Sequence, residues 1–109
     1  MRQHELWWAE LPEPIGRRPV LLLSRDQAYR ILTRVTVAEV STTIRRIPVE
    51  VPLGKAEGLP KPCVANLDNL HAVAVARLRT MIGQLASDRA VEVERALGYA
   101  LDIGRLKDH

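Results

Sequence analysis

The chain has 109 residues and a mass of 12.2 kDa, which is the size of one ordinary domain. Apolar residues make up 47% of it, which excludes global disorder, and no apolar run approaches the ~18 residues of a membrane helix. The net charge of +3 is unevenly spread, because residues 15–46 contain seven arginines and only two acidic residues. This segment is either a surface that faces a polyanion or an ordinary solvated surface.

Two features favour a cytoplasmic protein. The first residues lead into two tryptophans and then two prolines, without the apolar stretch and small-residue cleavage site of a secretory signal. Cys63 is the only cysteine, which excludes an internal disulfide and fits a reducing compartment. We therefore expect a cytoplasmic protein that makes no contact with a membrane.

Short strands separated by turns are predicted for most of the chain. They cover residues 6–11, 20–23, 35–44, 47–53, 62–67 and 70–78. Residues 26–32 are predicted to form one or two helical turns, with Asp26 as a possible N-cap. Pro48 and Pro52 share one face of the 47–53 segment, which is typical of an edge strand. A polar turn at residues 68–69 is expected to separate the last two strands.

The hydrophobic period changes near the carboxy terminus. A helical stripe is formed by Ala90, Val93, Leu97, Ala100 and Leu101. Ser87 lies where an N-cap belongs, and Gly104 is a natural stop. The pattern predicts a single domain over residues 1–109, α+β or small-barrel in class, with a sheet-dominated body closed by one helix.

The sequence offers little for metal or covalent chemistry. His4, His71 and His109 are scattered, and none lies at a ligand-like spacing from Cys63 or a carboxylate, so we expect no metal and no cofactor. Cys63 fits a small buried core residue better than a nucleophile. His71 fits a surface or strand-end histidine better than a general base.

Cationic and hydroxyl side chains flank two of the predicted strands. Arg17 and Arg18 directly precede an apolar strand, while residues 41–43 (STT) end another strand just before Arg45 and Arg46. If the two strands are neighbours, guanidinium and hydroxyl groups converge at one rim of a small barrel. Such a rim suits a phosphodiester, whose oxygens need cations and hydrogen-bond donors. The alternative is ordinary strand-end solvation together with the β-propensity of threonine.

At these residues the chain resembles the MazF/PemK family of toxin endoribonucleases. The motifs that carry the resemblance are residues 6–16 (LWWAELPEPIG), 17–23 (RRPVLLL), 40–44 (VSTTI), 60–62 (PKP), 66–70 (NLDNL) and 76–78 (ARL). The resemblance implies a small SH3-like β-barrel with a C-terminal helix, usually a homodimer, held inactive by a cognate acidic antitoxin. It also implies cofactor-free, metal-independent, sequence-selective cleavage of single-stranded RNA, in which the substrate's own 2′-hydroxyl attacks the phosphorus.

The same resemblance implies roles for particular residues. The family's essential arginine falls on Arg18, and its essential hydroxyl falls on Ser41 or, with a one-residue slip, on Thr42. The residues expected to bind RNA are Arg17, Thr43, Arg45 and Arg46.

This chain also departs from the family pattern at two places. Gly16 runs directly into Arg17, without the longer Gly-polar-Glu loop of many members. Residues 71–75 (HAVAV) stand where members often have Arg-Thr-Ile-Asp-Lys, so base-reading contacts are expected to differ. The alternative functions are a non-catalytic binding module on the same barrel and a gyrase-directed inhibitor.

Overall fold

The computed structural model describes residues 1–108, so the last residue of the predicted domain, His109, lies outside the described residues. Its strands are β1 Glu5–Leu11, β2 Gly16–Leu22, β3 Arg34–Ser41, β4 Glu50–Leu53, β5 Cys63–Ala74 and β6 Leu78–Gln84. Its helices are α1 Ala28–Ile31, α2 Ala90–Leu101 and α3 Gly104–Lys107. Short 3-10 turns precede β5, β6 and α2.

The six strands form one sheet in the order β4-β5-β3-β2-β1-β6, and every neighbouring pair is antiparallel. The sheet curls into a half-barrel that is accompanied by the C-terminal helix, so the predicted α+β small-barrel class is confirmed. Strand β4 lies at one edge, as its prolines predicted. Pro52 belongs to the strand, whereas Pro48 precedes it.

Alternating side chains give the sheet two buried faces. We call the face covered by α2 the helix face, where Val93 and Ala96 of the helix belong to one core cluster with Leu21 and Val40 of the sheet. The opposite side is the second face, and its core residues include Val20, Leu22, Val35, Val37 and Val73. Because neighbouring residues of a strand point to opposite faces, adjacent polar residues on β2 or β3 are directed to different environments.

The observed strands differ from the prediction at three points. Strand β2 begins at Gly16, so Arg17 and Arg18 lie inside the strand and not before it. Strand β3 ends at Ser41 and not at residue 44. Strand β6 has no counterpart in the sequence prediction, because most of its residues are exposed and its apolar pattern is weak.

Residues 63–74 form one strand, so the prediction of two strands around a turn at Asp68 was wrong. Both halves pair with β3, and the register shifts where Ala38 pairs with Leu70 and Glu39 pairs with Asn66. The Asn66 side chain accepts a hydrogen bond from the backbone N–H of Asp68 at 2.9 Å. The polar residues therefore form a bulge within a continuous strand.

The predicted helix caps were also wrong. Ser87 begins a 3-10 turn, and α2 starts at Ala90 with Arg89 as its N-cap. Helix α2 ends at Leu101, followed by Asp102 in the left-handed region, while Gly104 begins α3 instead of ending a helix.

Asp26 is not the cap of α1, whose N-cap is Gln27. Its carboxylate instead accepts the backbone N–H of Gln3 at 2.7 Å. At Asp26 a tertiary contact therefore replaces the local cap.

A buried carboxylate ties the edge strand to the helix. Glu57 accepts the backbone N–H of Gly54 at 2.6 Å and a hydrogen bond from Arg89 at 3.3 Å. Arg89 also donates to the carbonyl oxygen of Pro52 at 2.6 Å and to both carboxylate oxygens of Glu92 at 2.7 Å. The segment around Glu57 is thereby fixed against the start of α2.

We predict that Gly83→Ala destabilises the fold, because β6 passes against the backbone at Glu57 with no room for a side chain. A Cβ at Gly83 would overlap the carbonyl oxygen of Glu57 and lie 2.9 Å from its carbonyl carbon. We expect a loss of about 3 kcal/mol, measured by urea denaturation. Gly104→Ala is the matched control, since nothing lies within 4 Å of the added methyl group, and it should change stability by less than about 0.5 kcal/mol. Equal stability of the two variants would contradict this packing.

Candidate functional site

The pairing of β2 with β3 brings the predicted site residues together. The ladder pairs Leu22 with Val37 and Val20 with Glu39, and the same antiparallel register places Arg18 opposite Ser41 two positions further on. A cleft of about 440 Å³ opens at this end of the strands. Its lining includes the five predicted residues Arg17, Arg18, Ser41, Thr42 and Thr43, together with Trp8 and Lys61. The predicted convergence at one rim is thus observed for these five residues.

Arg17 and Arg18 point in different directions because they are neighbours in an extended strand. The Arg17 guanidinium lies over the ring of Trp8, 4.7 Å from the ring centre. Both side chains are accessible from the cleft, so Trp8 and Arg17 form a flat surface on which a base can stack. Sequence reasoning did not single out Trp8, and the register that pairs it with Pro19 was needed to find it.

Arg18 lies on the second face and is held by Glu39. Its Nη1 donates to Glu39 Oε1 at 2.8 Å, while Glu39 Oε2 is 3.0 Å from Nε2 of His71. The Glu39 side chain is only 14% exposed, and that of Arg18 is 35% exposed. Arg18 makes no other side-chain hydrogen bond within residues 1–108, so its remaining N–H donors can bind an oxyanion.

The two candidate hydroxyls differ in position. Ser41 is the last residue of β3 and alternates with Val37 and Glu39, so it shares the second face with Arg18. Thr42 follows the strand and is exposed. The Ser41 hydroxyl accepts the backbone N–H of Thr43 at 3.0 Å, which orients its oxygen while leaving its proton available to a ligand.

Arg45 and Arg46 do not line the cleft. Their backbone N–H groups donate to the carboxylate of Glu50, with the shortest distance 2.8 Å, and Arg46 has a φ of 58°. Arg46 borders a separate apolar depression of about 360 Å³. The structure therefore separates these two arginines from Arg17 and Arg18, and the polar contact that does so could not be read from the local sequence.

Cys63 contributes to the wall of the cleft but is buried, with 4% of its surface exposed. Burial, and secondarily the charge of Glu57, raises the pKa of its thiol. A raised pKa reduces the thiolate fraction, so the expectation of a core residue and not a nucleophile agrees with its surroundings.

No group of three or more His, Cys, Asp or Glu side chains within residues 1–108 is arranged to hold a metal ion. Among the described helices, none has the length and apolar character needed to cross a bilayer.

Comparison with known proteins defines the class. Residues 2–101 match the model of the PemK-like, MazF-like toxins of type II toxin–antitoxin systems. The chain is 43% identical over 102 residues to the probable endoribonuclease MazF5 of Mycobacterium tuberculosis, covering 93% of each chain. The chain therefore belongs to the PemK/MazF toxin family.

Solved structures agree with this assignment. The toxin MazF-mt6 of Mycobacterium tuberculosis superposes with a TM-score of 0.84 at 36% identity, covering 90% of this chain and 96% of that one. A mycobacterial endoribonuclease in complex with its cognate antitoxin superposes with a TM-score of 0.82, covering 94% of this chain and 96% of that one. At 23% identity, that second likeness concerns the fold alone.

Proposed function

We propose that the protein is the toxin of a type II toxin–antitoxin pair and cleaves single-stranded RNA sequence-selectively in the cytoplasm. The observation that carries this proposal is the pairing of β2 with β3, which places Arg18 and Ser41 on one face at the mouth of the cleft. Membership of the toxin family and relatives named endoribonucleases support it.

The chemistry needs no nucleophile from the protein. The 2′-hydroxyl of the RNA attacks the adjacent phosphorus, the bond to the 5′ oxygen breaks, and the products are a 2′,3′-cyclic phosphate and a 5′-hydroxyl. Arg18 binds two phosphoryl oxygens and stabilises the negative charge that builds up on them. The Ser41 hydroxyl donates a hydrogen bond to the same phosphate, while Arg17 and Trp8 hold the neighbouring nucleotide.

Two partners complete the proposed assembly. A homodimer would join two shallow clefts into a continuous groove for the RNA strand. A cognate acidic antitoxin would inhibit the toxin by binding near its cationic residues, among which Arg17 and Lys61 are exposed. We propose that residues 1–109 form a single domain that both cleaves RNA and binds the antitoxin.

We expect the purified protein to cut a long transcribed RNA equally well with and without EDTA, because the attacking group belongs to the RNA and Arg18 supplies the charge stabilisation. Mapping of the cut ends should give a 2′,3′-cyclic phosphate and a 5′-hydroxyl. Loss of cutting on chelation, with recovery on adding a divalent ion, would contradict this mechanism. Absence of cutting together with inhibition of gyrase would favour the alternative toxin activity.

Arg18→Ala is expected to slow cleavage by about 100–1000-fold, equivalent to about 3–4 kcal/mol of lost transition-state stabilisation. Arg18→Lys should recover activity only in part, because an ammonium group cannot bind two oxygens in one plane. The control is Arg105→Ala on α3, which removes the same charge at an exposed position outside the cleft. Parental cleavage by a folded Arg18→Ala variant, as judged by circular dichroism, would show that the catalytic site is elsewhere.

A further inference from the structure

A carboxylate with two partners lies on the second face, next to the proposed phosphate site. Glu39 lies on the central strand β3, between Arg18 of β2 and His71 of β5. The register explains both contacts, because Val20 pairs with Glu39 and His71 pairs with Val37, so each partner is a diagonal neighbour of the carboxylate. The same face carries Ser41 beyond Glu39.

The hydrogen bond to Glu39 decides which nitrogen of His71 can act as a base. An ionised carboxylate only accepts hydrogen bonds, so Nε2 of His71 carries the proton at the 3.0 Å contact. In the neutral imidazole the other nitrogen, Nδ1, then has a free lone pair. Within residues 1–108 no protein group is hydrogen-bonded to Nδ1, and the side chain of His71 is 23% exposed.

We propose that His71 is the general base of the RNA cleavage and that Glu39 is the positioning residue that orients both His71 and Arg18. This inference rests on the proposed function, which leaves the removal of the 2′-hydroxyl proton without an assigned group. Arg18 and His71 bind the two oxygens of one carboxylate, so a phosphate held by Arg18 lies close to the imidazole. An acidic residue in this position also keeps the base in one tautomer.

The step balances without any co-reactant. Nδ1 of His71 takes the proton from the 2′-hydroxyl as the bond between the 2′ oxygen and phosphorus forms. The bond between phosphorus and the 5′ oxygen breaks, and that oxygen takes a proton from solvent. His71 then returns its proton to solvent, while Glu39 remains ionised and hydrogen-bonded to the imidazolium.

The charged neighbours of His71 determine how its variants are interpreted. Glu39 on β3 contacts the imidazole directly, and Arg18 on β2 contacts the far oxygen of the same carboxylate. Replacement of His71 by glutamine keeps a hydrogen-bond donor towards Glu39 but removes the base. His71→Gln therefore tests proton transfer separately from support of Arg18.

The test compares wild type, His71→Gln and His4→Gln on a short RNA containing a cut site that wild type has first been shown to use. His4 is the matched control, since it lies away from the cleft and is a histidine of this chain outside the proposed machinery. We expect His71→Gln to lower kcat by about 100-fold or more, with KM changed by less than about threefold. The rise of wild-type kcat with pH on the acid side should disappear in His71→Gln and persist in His4→Gln.

A chemical rescue separates catalysis from folding. Added imidazole should restore part of the activity of His71→Ala, because a small base can enter the space left by the side chain, and it should leave Arg18→Ala unchanged. Glu39→Gln should show an intermediate loss of kcat, because Arg18 and His71 would then contact a neutral amide instead of a carboxylate. Parental kcat and pH dependence in His71→Gln, or a loss confined to KM and thermal stability with no imidazole rescue, would overturn the proposal. Failure of wild type itself to cut any RNA would overturn the proposed function as well.

Discussion

The antiparallel pairing of β2 with β3 is the constraint on which the rest of the site depends. It aligns Arg18 with Ser41 across the two strands and makes Glu39 a diagonal neighbour of the guanidinium. A shift by one residue would exchange the faces of every side chain and would bring Arg17 to the position of Arg18. The buried residues Val20, Leu22 and Val37 prevent such a shift, because it would move them to the helix face and disrupt the packing on both faces. Core packing on the second face and the geometry of the site are therefore fixed by the same register.

Because side chains alternate between the two faces along β2, the adjacent residues Arg17 and Arg18 have different surroundings. Arg17 lies over Trp8, where a planar cation and an aromatic ring offer a stacking surface with little demand for a particular base. Arg18 is turned to the opposite face and fixed by a carboxylate, which restrains its side chain before RNA binds. Glu39 does not cancel the usefulness of Arg18, because a guanidinium has five N–H donors and the contact with Glu39 uses Nη1. The acidic residue thus preorganises the cation at the expense of part of its charge.

Much of the architecture could be predicted from local patterns, and the exceptions have physical causes. Alternation of apolar residues located β3, and a segment ended by prolines located β1. The prolines near β4 indicated an edge strand, since proline lacks a backbone donor. Strand β6 was missed because an edge strand with few buried positions has little hydrophobic signal. The break at residues 68–69 was misread as a turn because a bulge and a turn use the same polar residues, and only pairing with β3 distinguishes them.

Some residues of the candidate site could likewise be predicted from the sequence, whereas others could be found only from the structure. Arg18 and Ser41 could be named from the sequence because the motifs shared with the toxin family fall on them. The roles of Glu39 and His71 could not, since their contact joins residues 32 positions apart through the register of β3 with β5. Arg45 and Arg46 follow the strand in sequence, yet hydrogen bonds to Glu50 turn that segment away from the cleft. Local sequence therefore identified the candidate groups, while long-range pairing decides which of them lie together.

The most direct test of the shared face is a comparison of Ser41→Ala with Thr42→Ala in single-turnover cleavage at saturating enzyme, which isolates the chemical step. Loss of a hydroxyl that donates to a charged phosphate corresponds to about 1.5–3 kcal/mol, so Ser41→Ala should be slower by about 10–100-fold. Thr42→Ala should stay within about threefold of the parental rate, because Thr42 does not share the face of Arg18. A larger loss in Thr42→Ala than in Ser41→Ala would contradict the account of the site.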